Sequence, residues 1–242
     1  MSTEIPDVST PDAAGWSDDE TRLRRALVEI GRLCYQRGYI VGGDGNLSAR
    51  MSDGSILITP AGTMKGFLSP HHMARVDLDG RALDNGPKAS SEVGIHLVVY
   101  RQRPEIHAVV HAHPPHAVAM TIAGVDLQTP IIPEVITTIG GIPTAPYATP
   151  GTDELPESIR GIVSCSDTVL MKNHGSVTLG SNLMEAYRKL DTIEHTARIL
   201  WLAHCVGGPV EGLSEEAVRK LLATREKLGI RSLNTLENRC GL

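Results

Sequence analysis

His111 and His113 stand one residue apart at the end of a run, from Ala108 to His111, that reads as a β-strand. Alternate residues of a strand face the same way, so both imidazoles can converge on one ion. Taken alone, such a pair is equally compatible with a structural role. His174 follows Asn173 and precedes Gly175 between two short apolar runs, where a tight turn can aim a side chain into a cleft. Three neutral imidazoles around a divalent ion leave a coordination position open, which is the pattern of a catalytic metal rather than a structural one. Glu92 follows Ser90 and Ser91 at the start of a helical pattern. There the helix dipole favours a carboxylate, and free backbone N–H groups favour an anion. The same three residues also read as an ordinary N-cap with a dipole-complementary acid. Gly42 to Asn46 and Thr59 to Gly62 are loop signals whose backbone amides can form anion nests.

The elements that must position these groups are legible in outline. Leu23, Ala26, Leu27, Ile30, Leu33 and Cys34 follow helical spacing after Ser17 and three acids, and Gly38 ends that helix. Residues 47–50, 56–59 and 74–78 read as strands joined by tight turns at Asp53-Gly54 and Asp79-Gly80. A helix with the buried stripe Val93, His96, Leu97 and Tyr100 follows Ser90 or Ser91 as its cap, and a short helix is expected at 116–122. The Pro- and Gly-rich stretch 129–152 reads as strands and loops. Residues 168–171 and 176–179 read as another strand pair. A long helix then begins after Asn182, and a last one spans roughly Ser214 to Leu228. Hairpins enclosed by helices, without regular strand–helix alternation, imply an α/β fold with a mainly antiparallel mixed sheet covered by helices. Residues 1–20 read as a loose N-terminal arm, and 21–242 as a single domain.

Composition narrows the function classes. The net charge of −5 over 242 residues, with no stretch interleaving basic and aromatic side chains, excludes the footprint of a nucleic-acid binder. No apolar run approaches the roughly 18 residues that a membrane helix needs. Four scattered cysteines without a C-x-x-C pair suggest neither a disulfide framework nor a thiolate metal knot, and a cytoplasmic location fits best.

The ordered set Gly45-Asn46-Leu47-Ser48, Ile58-Thr59-Pro60-Ala61-Gly62, Ser90-Ser91-Glu92, His111-Ala112-His113-Pro114, Ala145-Pro146-Tyr147 and Asn173-His174-Gly175 resembles the class II aldolase/adducin family. The likeness is greatest to its L-fuculose-1-phosphate aldolase branch, and it spans roughly Thr21 to Leu228. It implies one Zn2+ per subunit held by His111, His113 and His174, with Glu92 completing the metal shell at rest and serving as acid/base once substrate displaces it. It implies phosphate binding by Gly45, Asn46, Gly62, Ser90 and Ser91, and a homotetramer with sites at subunit interfaces. The expected activity is reversible cleavage of a ketose 1-phosphate, L-fuculose 1-phosphate first, to dihydroxyacetone phosphate and a small aldehyde such as L-lactaldehyde. A small phosphorylated sugar is thus the expected partner, without nucleic acid or membrane.

Two positions depart from the family pattern. Ala61 stands where the aldolase usually carries a hydroxyl, and Glu134 falls at the place of a tyrosine that serves the aldehyde-side oxygen from a neighbouring subunit. A buried, protonated Glu134 could replace that phenol, and a surface glutamate could not. The second departure leaves open a sugar-phosphate 4-epimerase or a decarboxylase on the same zinc scaffold. A non-catalytic, adducin-like binding module is the alternative from another class, and the retained imidazoles and carboxylate argue against it.

Overall fold

The computed structural model describes residues 15–230 together with Leu233 and Leu236. Most of the expected N-terminal arm, and Cys240, lie outside the described residues. The first helix, α1 (Asp18–Gln36), opens where the Ser17 side chain accepts from the Glu20 amide, so Asp18, Asp19 and Glu20 belong to the helix. Such a cap is worth about 1 kcal/mol. There follow β1 (Asn46–Arg50), β2 (Ile56–Ile58), β3 (Ala74–Val76), α2 (Val93–Gln102), β4 (Ala108–Ala112), α3 (Pro115–Ala123), α4 (Pro133–Thr138), β5 (Thr144–Ala145), α5 (Glu154–Val163), β6 (Thr168–Met171), β7 (Gly175–Gly180), α6 (Leu183–Val206) and α7 (Glu215–Lys227).

Among the described residues the strands form one sheet in the order β3-β2-β1-β4-β7-β6-β5. Every pairing is antiparallel except β5 with β6. The fold is the expected helix-covered mixed sheet. Period-two alternation sorts its side chains to two faces. Ile56, Ile58, Val109, Val177 and Leu179 pack with Ile95 and Val99 of α2 and with Leu155 and Ile159 of α5. Leu47, Ala49, Leu57, Ala108 and Val110 pack with Leu27 and Ile30 of α1 and with Leu183 and Leu190 of α6. A third cluster joins α3, α4 and the far half of α6 around Leu170.

Three local expectations need correction. The stretch 129–152 contains α4, because Pro133 sits at the start of a helix, where its missing N–H is not needed. Glu92 is the N-cap residue of α2 rather than part of its first turn, and the Ser90 hydroxyl accepts from the Glu92 amide at 3.3 Å. Cys165 is disulfide-bonded, whereas Cys34 and Cys205 are free thiols. Distance along the chain does not report approach in space, which alone decides whether two thiols can pair. No helix among the described residues is long and apolar enough to cross a membrane.

Candidate metal centre and anion-binding loops

The register of the sheet brings the chemistry together. His111, near the end of β4, pairs across the ladder with Asn46 at the start of β1 on one side and with Val177 of β7 on the other. His113 follows two residues on, and its amide donates to Tyr39 O at 2.8 Å. His174 closes the β6–β7 turn behind Asn173, whose φ of 59° is the left-handed conformation that few non-glycine residues adopt. The three rings form a triangle with centroids 4.9 Å apart on each side.

Their ligand nitrogens all lie within 4.8 Å of one another. Glu92 reaches into the same focus, with Oε2 3.3 Å from His111 Nε2 and Oε1 3.4 Å from His174 Nε2. Two ligand atoms on one tetrahedral zinc ion, at bonds of 2.0–2.1 Å, stand about 3.4 Å apart. His111 Nδ1–H donates to Ser176 O at 2.9 Å, so its Nε2 lone pair faces the focus, as a metal requires. His113 Nε2 sits 3.1 Å from that lone pair. Burial, with His111 and His174 alongside, pushes the His113 imidazole down to about 3, so it is neutral and able to ligate at neutral pH. Burial alone would raise the Glu92 carboxyl, but hydrogen bonds and charge from His111 and His174 hold it well below the usual carboxylate range. The donor set fits a divalent cation.

Gly175 is part of that fit. A Cβ there would lie 2.5 Å from Ala112 O, 2.7 Å from His113 Cδ2 and 3.1 Å from His111 Cε1. Gly175→Ala should therefore push two imidazoles off their positions and weaken metal binding at least about tenfold. Titration of the apo-protein with zinc against a competing chelator measures this.

The glycine loops adjoin the imidazole focus. Gly45 has φ +63°, and a Cβ on it would meet His111 O at 2.8 Å, so only glycine lets the chain turn into β1 beside β4. Gly43 approaches Gly62, whose φ is +66°, with a hypothetical Cβ 3.8 Å from the Gly62 carbonyl carbon. Pro60 bridges to Ala89, and the Ala61 amide donates to Lys88 O at 3.0 Å. Ser90 is buried and Ser91 exposed. Asn46 donates through Nδ2 to Glu92 Oε2 at 2.9 Å, which places its amide between the loops and the carboxylate.

Glu134 lies exposed on α4, and no hydrogen bond or ion pair among the described residues joins it to the imidazole cluster. Two histidines outside this cluster have structural partners. Glu194 takes His116 Nδ1 at 2.6 Å, and His72 Nδ1 accepts from the Ser69 amide at 2.9 Å.

Residues 25–201 match the family described as Class II Aldolase and Adducin N-terminal domain. The chain belongs to the class II aldolase and adducin family. Within it, the chain is 36% identical over 187 residues to a 3-oxo-tetronate 4-phosphate decarboxylase of Pectobacterium atrosepticum, covering 76% of this chain and 85% of the relative. It is also 36% identical over 178 residues to an L-fuculose phosphate aldolase of Methanococcus vannielii, covering 72% of this chain and 93% of that one. The solved structure of YgbL from Escherichia coli superposes with a TM-score of 0.78 at 32% identity, over 84% of this chain and 99% of its own. These class II relatives are enzymes, and the chain keeps the donor set such chemistry needs.

Lys65 lies three residues beyond Gly62. The structure buries it, and its Nζ donates to Gly43 O at 2.6 Å and Thr63 O at 2.9 Å, tying two of the anion loops together. Burial lowers its ammonium to about 8, against the opposing pull of Asp44 and Glu92. The charge is present below that pH and lost as pH rises through it.

Proposed function

We propose that this protein is a Zn2+-dependent lyase that decarboxylates a 4-phosphorylated 3-oxo sugar acid to dihydroxyacetone phosphate, working as a homotetramer with sites at subunit interfaces. The observation that carries the reading is the carboxylate of Glu92 facing two imidazoles of a three-histidine focus beside glycine-built anion loops. A cation held by His111, His113 and His174 would supply Lewis acidity to the substrate carbonyl. Backbone amides around Gly45 and Gly62, the hydroxyls of Ser90 and Ser91, and the charge of Lys65 hold the phosphate end. Asn46 stands between that end and Glu92.

A 3-oxo acid loses carbon dioxide by breaking its C1–C2 bond, and the electron pair remains on C2 as an enediolate conjugated with the C3 oxygen. Glu92, ionised at rest, takes a proton from water once substrate displaces it and passes that proton to C2, and dihydroxyacetone phosphate results. Aldol cleavage of a ketose 1-phosphate leaves the same enediolate but needs an additional base for the hydroxyl on the departing carbon. Carbon dioxide departs without one. The glutamate at position 134, where the resemblance places a tyrosine for that task, lacks the phenol and so favours decarboxylation over L-fuculose 1-phosphate cleavage. Relatives at 36% identity include both a decarboxylase and an aldolase, so position 134 carries the choice.

The test incubates zinc-loaded protein separately with 3-oxo-tetronate 4-phosphate and L-fuculose 1-phosphate, following dihydroxyacetone phosphate and carbon dioxide together. Equimolar release of both from the first compound is expected. Product from the second alone would make the protein an aldolase, and none from either overturns the proposal. In the same assay Lys65→Met should raise KM roughly tenfold with kcat little changed, since it removes charge from the phosphate end. The wild-type KM should rise as pH passes about 8, and that step should vanish in the variant.

A further inference from the structure

Below Asn46 lies a chain of buried polar groups that the metal centre does not use. Asn46 and Ser48 face one way from β1, two residues apart, while Glu92, His96 and Tyr100 follow at four-residue steps along α2 and its cap. The two periodicities mesh side by side. Tyr100 Oη lies 2.8 Å from Ser48 Oγ, Ser48 Oγ 2.6 Å from His96 Nδ1, His96 Nε2 2.5 Å from Asn46 Oδ1, and Asn46 Nδ2 2.9 Å from Glu92 Oε2. Ser48 and His96 are wholly buried, and Asn46 and Tyr100 nearly so.

The direction of every bond follows from the Glu92 end. A carboxylate needs a donor, so Asn46 must present Nδ2 to it and Oδ1 to His96. His96 therefore carries its proton on Nε2. Burial drives this imidazole down to about 3, which leaves it one proton only, so Nδ1 must accept from the Ser48 hydroxyl. With its own proton committed, Ser48 accepts from Tyr100. Each donor thus points toward Glu92.

We propose that Tyr100, Ser48 and His96 form a one-way hydrogen-bond relay that locks the Asn46 amide as a donor to Glu92 Oε2, leaving Oε1 as the oxygen that exchanges the proton with substrate. They are positioning residues. An amide does not pass a proton on, so the relay orients the carboxylate and does not conduct to it. A reversed Asn46 would set an oxygen against a carboxylate, and the His96 tautomer forbids that reversal. The inference rests on the reading of Glu92 as the proton-transferring group.

The first measurement is 1H–15N NMR of metal-loaded protein labelled at histidine, which reports the His96 tautomer without any substrate. The Nε2–H form is expected, and the Nδ1–H form would overturn the relay. The second compares Ser48→Ala and Tyr100→Phe with wild type for metal content, thermal midpoint, kcat and KM. Loss of one relay bond is expected to lower kcat about tenfold in Ser48→Ala and less in Tyr100→Phe, with KM and metal content unchanged. Folded variants with wild-type kcat would remove the proposal. Should Ser48→Ala not fold, Tyr100→Phe carries the comparison, as it deletes only one oxygen. If the wild type cleaves neither 3-oxo-tetronate 4-phosphate nor L-fuculose 1-phosphate, the proposed reaction falls while the tautomer still decides the relay. Exchange of the carbon-bound protons of dihydroxyacetone phosphate in D2O then replaces kcat as the readout.

Discussion

His111→Ala protein should fold, fail to retain a divalent cation through dialysis, and lose roughly a thousandfold in kcat, the several kcal/mol that a Lewis acid contributes to such a reaction. Of the three proposed ligands, His111 is firmly fixed by the protein. It is fully buried, its Nδ1 is tied to Ser176 O, and its Nε2 stands 3.1 Å from His113 Nε2 and 3.3 Å from Glu92. Metal analysis after dialysis, circular dichroism and turnover separate loss of the ion from loss of the fold. A folded variant with full metal content and wild-type turnover would sink the metal-centre assignment.

Glu92→Gln should show the complementary pattern, with the metal retained and kcat lowered between about a hundredfold and ten-thousandfold, the range that a general acid–base group supplies. The amide can still accept from Asn46 Nδ2, which now donates at 2.9 Å, so the local geometry survives while the transferable proton does not. The sharpest readout is isotope exchange. Wild type should exchange a carbon-bound proton of dihydroxyacetone phosphate with D2O, and Glu92→Gln should not. Exchange at the wild-type rate would assign the proton transfer to another group.

The clustering of His111, His113 and His174 was legible because strand period and turn position are local properties. Two residues on one side of a strand must converge, and a histidine beside Gly175 must sit in a tight turn. The left-handed Asn173 and the close approach of Gly175 to both imidazoles add what only packing reveals. Of the fold, α5 was legible but went unassigned. Leu155, Ile159, Ile162 and Val163 follow helical spacing, and Pro156 within its first turn does not break it. Lys65 and Ser48 were not legible. The role of each is set by groups brought near through tertiary packing, Gly43 for the lysine and His96 for the serine. His96 was legible as part of the buried stripe of α2, and the bonds that satisfy it there lead to Glu92.

The pairing of Asn46 with His111 across β1 and β4 has a consequence for how such a site diversifies. Neighbouring strands keep a spacing of about 4.8 Å that no side-chain substitution alters. Under the proposed function, that spacing acts as a caliper set into the backbone. One jaw is the glycine loop entering β1 and the other is the imidazole ending β4, so the caliper measures the three-carbon phosphate fragment that every reading of the chemistry retains. The fragment that leaves has no jaw of its own in this chain. Its surroundings are set by loops and side chains that can change without moving the sheet, so carbon dioxide and aldehydes can be exchanged as leaving groups around one unchanged measure.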